Sequence, residues 1–224
     1  MKEGTAYAAR LKRAYARFRQ GVSRPTIPEA DDPLRRLAIG IFGVACGDAK
    51  AERALDNLME VMVDWNEVRI SSAHEVSRAI GNTIPDGALR AQRLIDALQC
   101  IFQRENRLSL DRLKKVGRRE AREYLEGLEA VDEYAVASVL LWSLGGHAVP
   151  VDDELLRSLR DAELIHPLAT RAEVQAFLER HIGASDTKEF CLNMRSFSGD
   201  KGAKAGRSRR RTSRTRKAHS RKTR

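Results

Sequence analysis

The stretch Leu128–Arg157, LEAVDEYAVASVLLWSLGGHAVPVDDELLR, decides the fold. Val131, Ala135, Val139 and Trp142 recur at the spacing of one helical face, with Val136, Leu140 and Leu144 beside them, so the segment is apolar around most of its circumference. A helix of that kind belongs at the centre of a domain. Gly145 and Gly146 end it. Pro150 and Val151 then run extended into Asp152 and Asp153, which suit the cap of a second helix with Leu155, Leu156 and Leu159 on its apolar side. A helix from Tyr134 to Leu144 rises roughly 15 Å, a distance that about eight extended residues span in return. The starts of the two helices are therefore expected side by side, with Tyr134 and Asp152 facing one cleft.

Working outward, the segments read as helices, with Arg24–Asp32, which carries Pro25 and Pro28, as a linker or loop. Thr5–Arg19 repeats Tyr7, Leu11, Tyr15 and Phe18 at three- and four-residue intervals, an amphipathic helix packed on the body. Asp31 or Asp32 caps a helix that opens on Pro33 and carries Leu37, Ile39, Ile41, Phe42 and Val44. Gly40, Gly43 and Gly47 in that stretch mark either close helix packing or backbone beside a ligand. Ala49–Val63 continues on Leu55, Leu58, Met59 and Met62, and Ser71–Ile80 is a short helix with Ser72 and Glu75 at capping-box spacing. After a turn at Ile84–Gly87, Ala88–Arg104 is amphipathic on Leu89, Leu94, Ile95, Leu98 and Phe102. Leu110–Val116 and Arg118–Leu125 are short helices, and Thr170–His181 and Asp186–Met194 close the body. No segment has the alternation of a strand, so the fold class is all-α.

Charge divides the chain in two. Of 41 Lys and Arg and 31 Asp and Glu, twelve basic residues and one acidic residue lie from Ser198 onward, so the net charge of +10 sits in the tail and the body is near neutral. The organisation expected is a helical body over 1–197 and a disordered basic tail over 198–224. A segment such as GRSRRRTSRTRKAHSRKTR binds phosphates without sequence preference and loses affinity steeply with salt. Nucleic acid suits it better than a membrane, because no aromatic or aliphatic anchor accompanies the charge. Met1–Gly21 has no apolar leader core, no apolar run reaches bilayer length, and Cys46, Cys100 and Cys191 have neither metal nor disulfide spacing. A cytoplasmic, nucleoid-associated monomer is the expectation.

The central stretch resembles the helix-hairpin-helix and catalytic-aspartate segment of the endonuclease III superfamily of DNA glycosylases. That family carries Leu-Pro-Gly-Val-Gly, two residues, Thr-Ala, and later Val-Asp-Thr-His ahead of an Arg. Here Leu128 and Val131 match the hairpin, Asp152 falls on the aspartate and Arg157 follows at the family distance. The likeness extends upstream through PLRRLAIGIFGVACGDAKAERAL and the helices after it, covering Pro33–Ile165. Departures are specific. Ala130 and Asp132 stand where the family has glycines that turn the backbone and offer bare amides to a DNA phosphate. Ala130 is expected to resist that turn, and Asp132 to bring a negative charge to the phosphate position. Tyr134 replaces the Schiff-base lysine of bifunctional members, Gly40 the glutamate of adenine-specific ones and Ala45 a glutamine of endonuclease III. Three cysteines cannot supply the four thiolates of the family's iron-sulfur cluster, so no cofactor is expected.

The resemblance implies a two-lobed helical fold, a hairpin motif near 124–144 and a base-excision enzyme acting on double-stranded DNA. Asp152 is then the candidate catalytic group and Tyr134 a candidate for the base pocket. Candidate DNA contacts are Leu128, Ala130, Val131 and Asp132 of the hairpin, Arg90 at the family's lysine position, Lys114, Lys115 and Arg118 of the densest basic cluster in the body, and Arg209, Arg210 and Arg211 of the tail. The residues alone also allow a catalytically inactive DNA-binding module, or a helical interaction protein in which only the tail meets nucleic acid.

Overall fold

The computed structural model describes residues 4–21 and 25–194. The tail from Ser198, with Arg209, Arg210 and Arg211, lies outside them. The described elements are α1 (Gly4–Gly21), α2 (Pro33–Gly43), α3 (Asp48–Val61), α4 (Trp65–Ile70), α5 (Ala73–Ile80), α6 (Gly87–Glu105), a 3-10 turn at Asp111–Lys114, α7 (Arg118–Glu126), α8 (Glu133–Trp142), α9 (Asp153–Asp161) and α10 (Arg171–His181). Residues 187–194 are helical too, and the described residues contain no strand. None of these helices is long and apolar enough to cross a membrane.

Capping fixes where the helices start. The Asp32 carboxylate accepts from the Arg35 amide at 2.8 Å, one residue ahead of Pro33. Ser72 with Glu75 and Thr170 with Glu173 form reciprocal capping boxes, and those backbone hydrogen bonds hold both glutamates below the usual carboxylate range. α4 is shorter than hydrophobic periodicity resolves, and it exists because Asp64 accepts from the Glu67 amide at 2.8 Å. Leu89, expected on the apolar face of α6, is 51% exposed. The buried stripe runs instead through Ala91, Leu94, Leu98 and Ile101, a three-four-three spacing that puts Leu89 on the far side.

Two cores result, and α8 joins them. Tyr134 through Trp142 are buried without a break. Ala135, Val136, Ala137, Val139 and Leu140 belong to the first core with α2–α7, whereas Leu141 and Trp142 belong to the second with α1, α9, α10 and residues 187–194. Leu11 and Tyr15 thus carry the N-terminal helix onto the C-terminal lobe, with the Tyr15 ring edge-on to Phe190 at 5.0 Å. The tightest helix crossing is α2 on α8. A Cβ added to Gly40 would stand 2.6 Å from the Ala135 Cα, so packing, and not a ligand, accounts for this glycine.

A buried polar chain locks the same helices. Asp48 opens α3 after Gly47, whose φ of +80° makes the turn. Its carboxylate accepts from Arg36 Nη1 on α2 at 2.9 Å and from the Tyr134 hydroxyl on α8 at 2.5 Å. Arg36 also donates from Nε to Asp31 at 2.7 Å, and Asp31 accepts from the Ser143 hydroxyl at the other end of α8 at 2.7 Å. Charges taken this far from water hold only while paired.

Gly40→Ala is expected to destabilise the protein by about 1–3 kcal/mol through forced separation of α2 and α8. Arg36→Ala is expected to cost about 3–5 kcal/mol, since Asp48 stays buried without its guanidinium. Urea unfolding of each variant against the parent measures both.

Candidate active site between the lobes

The second helix start arrives as expected. Val149 and Val151 are buried, which fixes the extended approach, and the Asp152 Oδ1 accepts from the Leu155 amide at 2.7 Å as the cap of α9. The next amide, Asp153 N, donates to the Val44 carbonyl just past α2 at 3.1 Å, so the first turn of α9 is pinned to the other lobe. Opposite lies the start of α3. Between them is an open cleft of about 290 Å³ lined by Cys46, Asp48, Lys50, Arg53, Asp152 and Glu154, with Gly47, Ala49 and Leu155.

Asp152 is 7% exposed, so its carboxylate forms part of the cleft wall without projecting into the space. The Cys46 thiol lines the cleft beside it, its Sγ 3.3 Å from the Phe42 carbonyl, and burial pushes its pKa up. Lys50 and Arg53 bring positive charge to the α3 side. Among the described residues no group of three His, Cys, Asp or Glu is placed to hold a metal ion.

Tyr134 does not face this cleft. It is 1% exposed, and its hydroxyl donates to Asp48, a residue of the cleft lining. Gly43 leaves it the room, because a Cβ there would stand 3.5 Å from Tyr134 Cε1 and 3.2 Å from Asp48 Oδ1. Asp48 is the cleft residue that sequence reasoning missed. Its signal was faint: a glycine-aspartate pair ahead of a helix, and an arginine pair in the otherwise apolar PLRRLAIGIF, one member of which must turn inward.

The hairpin corrects several expectations. Ala130 takes the turn at φ +63° in spite of its Cβ, a conformation costing roughly 1–2 kcal/mol. Leu128 is 3% exposed, its side chain part of the first core, and Val131 is half-buried against that core. Asp132 caps α8 through the Ala135 amide at 3.0 Å. Its charge is offset by Arg90 and Arg93, whose Nη1 atoms lie 3.5 and 3.7 Å from Oδ2. Arg90 is accordingly turned inward, also within 3.5 Å of the Ile41 carbonyl.

Lys114, Lys115 and Arg118 are all exposed, two of them with partners. Lys114 pairs with Asp111 at 2.7 Å, and Arg118 donates to the carbonyls of Leu144 and Gly145, closing the end of α8. Lys115 is exposed on the same segment.

Neither a protein-family model nor any curated protein matches this chain by sequence. Solved structures match it by shape. A trapped endonuclease III–DNA covalent intermediate superposes with a TM-score of 0.63 at 16% identity, over 87% of this chain and 85% of that one. The H. pylori 3-methyladenine DNA glycosylase bound to 1,N6-ethenoadenine gives 0.61 at 15% identity, over 87% of this chain and 97% of that one. A thermostable thymine-DNA glycosylase gives 0.58 at 17% identity, over 88% and 86%. With two helical lobes hinged on one buried helix and a cleft between them, this chain has the fold of the endonuclease III-like helix-hairpin-helix DNA glycosylases.

Proposed function

We propose that this protein is a monofunctional DNA N-glycosylase of base-excision repair, working as a cytoplasmic monomer on double-stranded DNA. The observation that carries this reading is the Asp152 carboxylate in the wall of an open interlobe cleft, at the N-terminus of α9. Support also comes from the solved proteins of the same fold, among them an endonuclease III and an 8-oxoguanine glycosylase/lyase, each complexed with DNA.

The chemistry follows from the charge. A damaged nucleotide must leave the stack before its glycosidic bond can be reached. As the bond between the base nitrogen and C1′ breaks, its electron pair leaves with the base and positive charge develops on the sugar. An ionised Asp152 lowers the energy of that cation. Water then adds its oxygen to C1′ and gives up a proton, for which the same carboxylate is the acceptor. Tyr134 has no amine, so no Schiff base forms at that position. The rigid frame suits this role, because α9 is tied to the end of α2 and the facing wall is held by Asp48, Arg36 and Tyr134.

Asp152→Asn keeps a competent helix cap and removes the charge. Single-turnover excision on duplexes carrying uracil, alkylated, oxidised or mismatched bases should identify a substrate, and the variant should lose roughly 10²-fold or more in rate on it. Undiminished excision by the variant refutes the mechanism. Borohydride is expected to trap no protein–DNA adduct, whereas a trapped adduct would make Lys50, the amine lining the cleft, a nucleophile.

A further inference from the structure

A second groove lies apart from the Asp152 cleft. It has a volume of about 450 Å³ and is lined by Arg122 and Glu126 of α7, Val131 and Glu133 at the start of α8, and Gln175 and Glu179 of α10, among others. Three carboxylates face one guanidinium there. Arg122 neutralises them poorly, standing 3.7 Å from Glu126 and 3.9 Å from Glu179. Glu133 has no ion pair among the described residues, and Glu129 is exposed on the adjoining hairpin. The groove is also lined by a buried amide. Gln175 is 8% exposed, its Nε2 donates to Glu179 Oε1 at 3.0 Å, and its own Oε1 has no hydrogen-bond partner.

This combination calls for a ligand that brings N–H donors and positive charge on slender apolar stems. Arginine fits: its guanidinium matches the carboxylates, and its methylenes can lie along Val131 and Val136. The chain carries such a ligand itself. Thirty residues follow Met194, and they include Lys201, Lys204, Arg207 and the run Arg209–Arg211. Met194 is buried in the second core together with Phe177 and Leu178 of α10, the helix whose other face forms one wall of the groove. At roughly 3.3 Å per residue the segment reaches the groove many times over.

We propose that the basic C-terminal segment docks in this acidic groove when no nucleic acid is bound, and that duplex DNA draws it off. The groove then acts as an internal counterpart of the phosphate backbone. It holds twelve positive charges against the hairpin side of the molecule until a stronger polyanion competes. Surface carboxylates of the body and DNA phosphates cannot hold the same arginines at once, so the two states exclude each other.

Zero-length carbodiimide coupling of the full chain at low salt, read by mass spectrometry, tests this. Lys201, Lys204, Lys217 or Lys222 should couple to Glu126 or Glu133 within single chains. Those products should vanish with added duplex DNA, at high salt, and in the double variant Glu126→Gln, Glu133→Gln. Coupling of the same lysines to remote exposed carboxylates such as Glu60 and Asp161 as often as to the groove overturns the proposal, as does coupling found only between two chains or unaffected by DNA. None of these outcomes depends on base excision, so the docking and the proposed chemistry stand or fall separately.

Discussion

One carboxylate holds the site together. Asp48 sits at the start of α3 and takes hydrogen bonds from Arg36 of α2 and Tyr134 of α8, so three helices share a single buried charge. A buried ion pair contributes little net stability, because each partner loses its water. What it contributes is position: a one-turn slip of any of these helices would leave a charge uncompensated in the core. The close crossing of Gly40 on Ala135 imposes the same register by shape. With α2 and α8 fixed, the Val44 carbonyl is fixed, and the amide of Asp153 finds it. Asp152 is thereby set in the cleft wall by interactions that begin in the opposite lobe.

The sequence made the architecture legible wherever a local pattern carried it. Apolarity around most of the circumference marked α8 as central, and Pro150 followed by Asp152 and Asp153 marked the start of α9, which the structure caps with Asp152. Ser72 with Glu75 marked a helix start that the structure shows as a capping box. Orientation was a different matter. When a helix is buried on every side, periodicity cannot say what lies against each face, and Tyr134 points to Asp48, a partner 86 residues away, where an open cleft was expected. The same distance effect hid the pairing of Arg90 with Asp132, 42 residues apart. Ala130 shows the reverse case. A residue with poor intrinsic preference for the left-handed region adopts it because Leu128 on one side is sunk in the core and Asp132 on the other is held as a cap.

Charge is partitioned as sharply as the fold. The hairpin carries Glu126, Glu129, Asp132 and Glu133, and its nearest arginines are engaged with them or with backbone. Ala130 adds a neutral methyl to the hairpin and Asp132 a negative charge. Positive charge sits instead at Lys50 and Arg53 of the cleft, at the exposed cluster of Lys114, Lys115 and Arg118, and above all after Ser198. We propose a division of labour in which the tail supplies most of the affinity for a polyanion and the cleft supplies the geometry for one nucleotide.

The central claim is that an ionised Asp152 faces a sugar that becomes cationic. Duplexes with a pyrrolidine, positively charged at neutral pH, in place of one deoxyribose mimic that cation, and the neutral tetrahydrofuran analogue has the same shape without the charge. The full protein is expected to bind the pyrrolidine duplex about 10²-fold more tightly than the tetrahydrofuran duplex, with the preference lost in Asp152→Asn. Equal affinity for the two duplexes, or a preference that survives the substitution, would contradict the assignment.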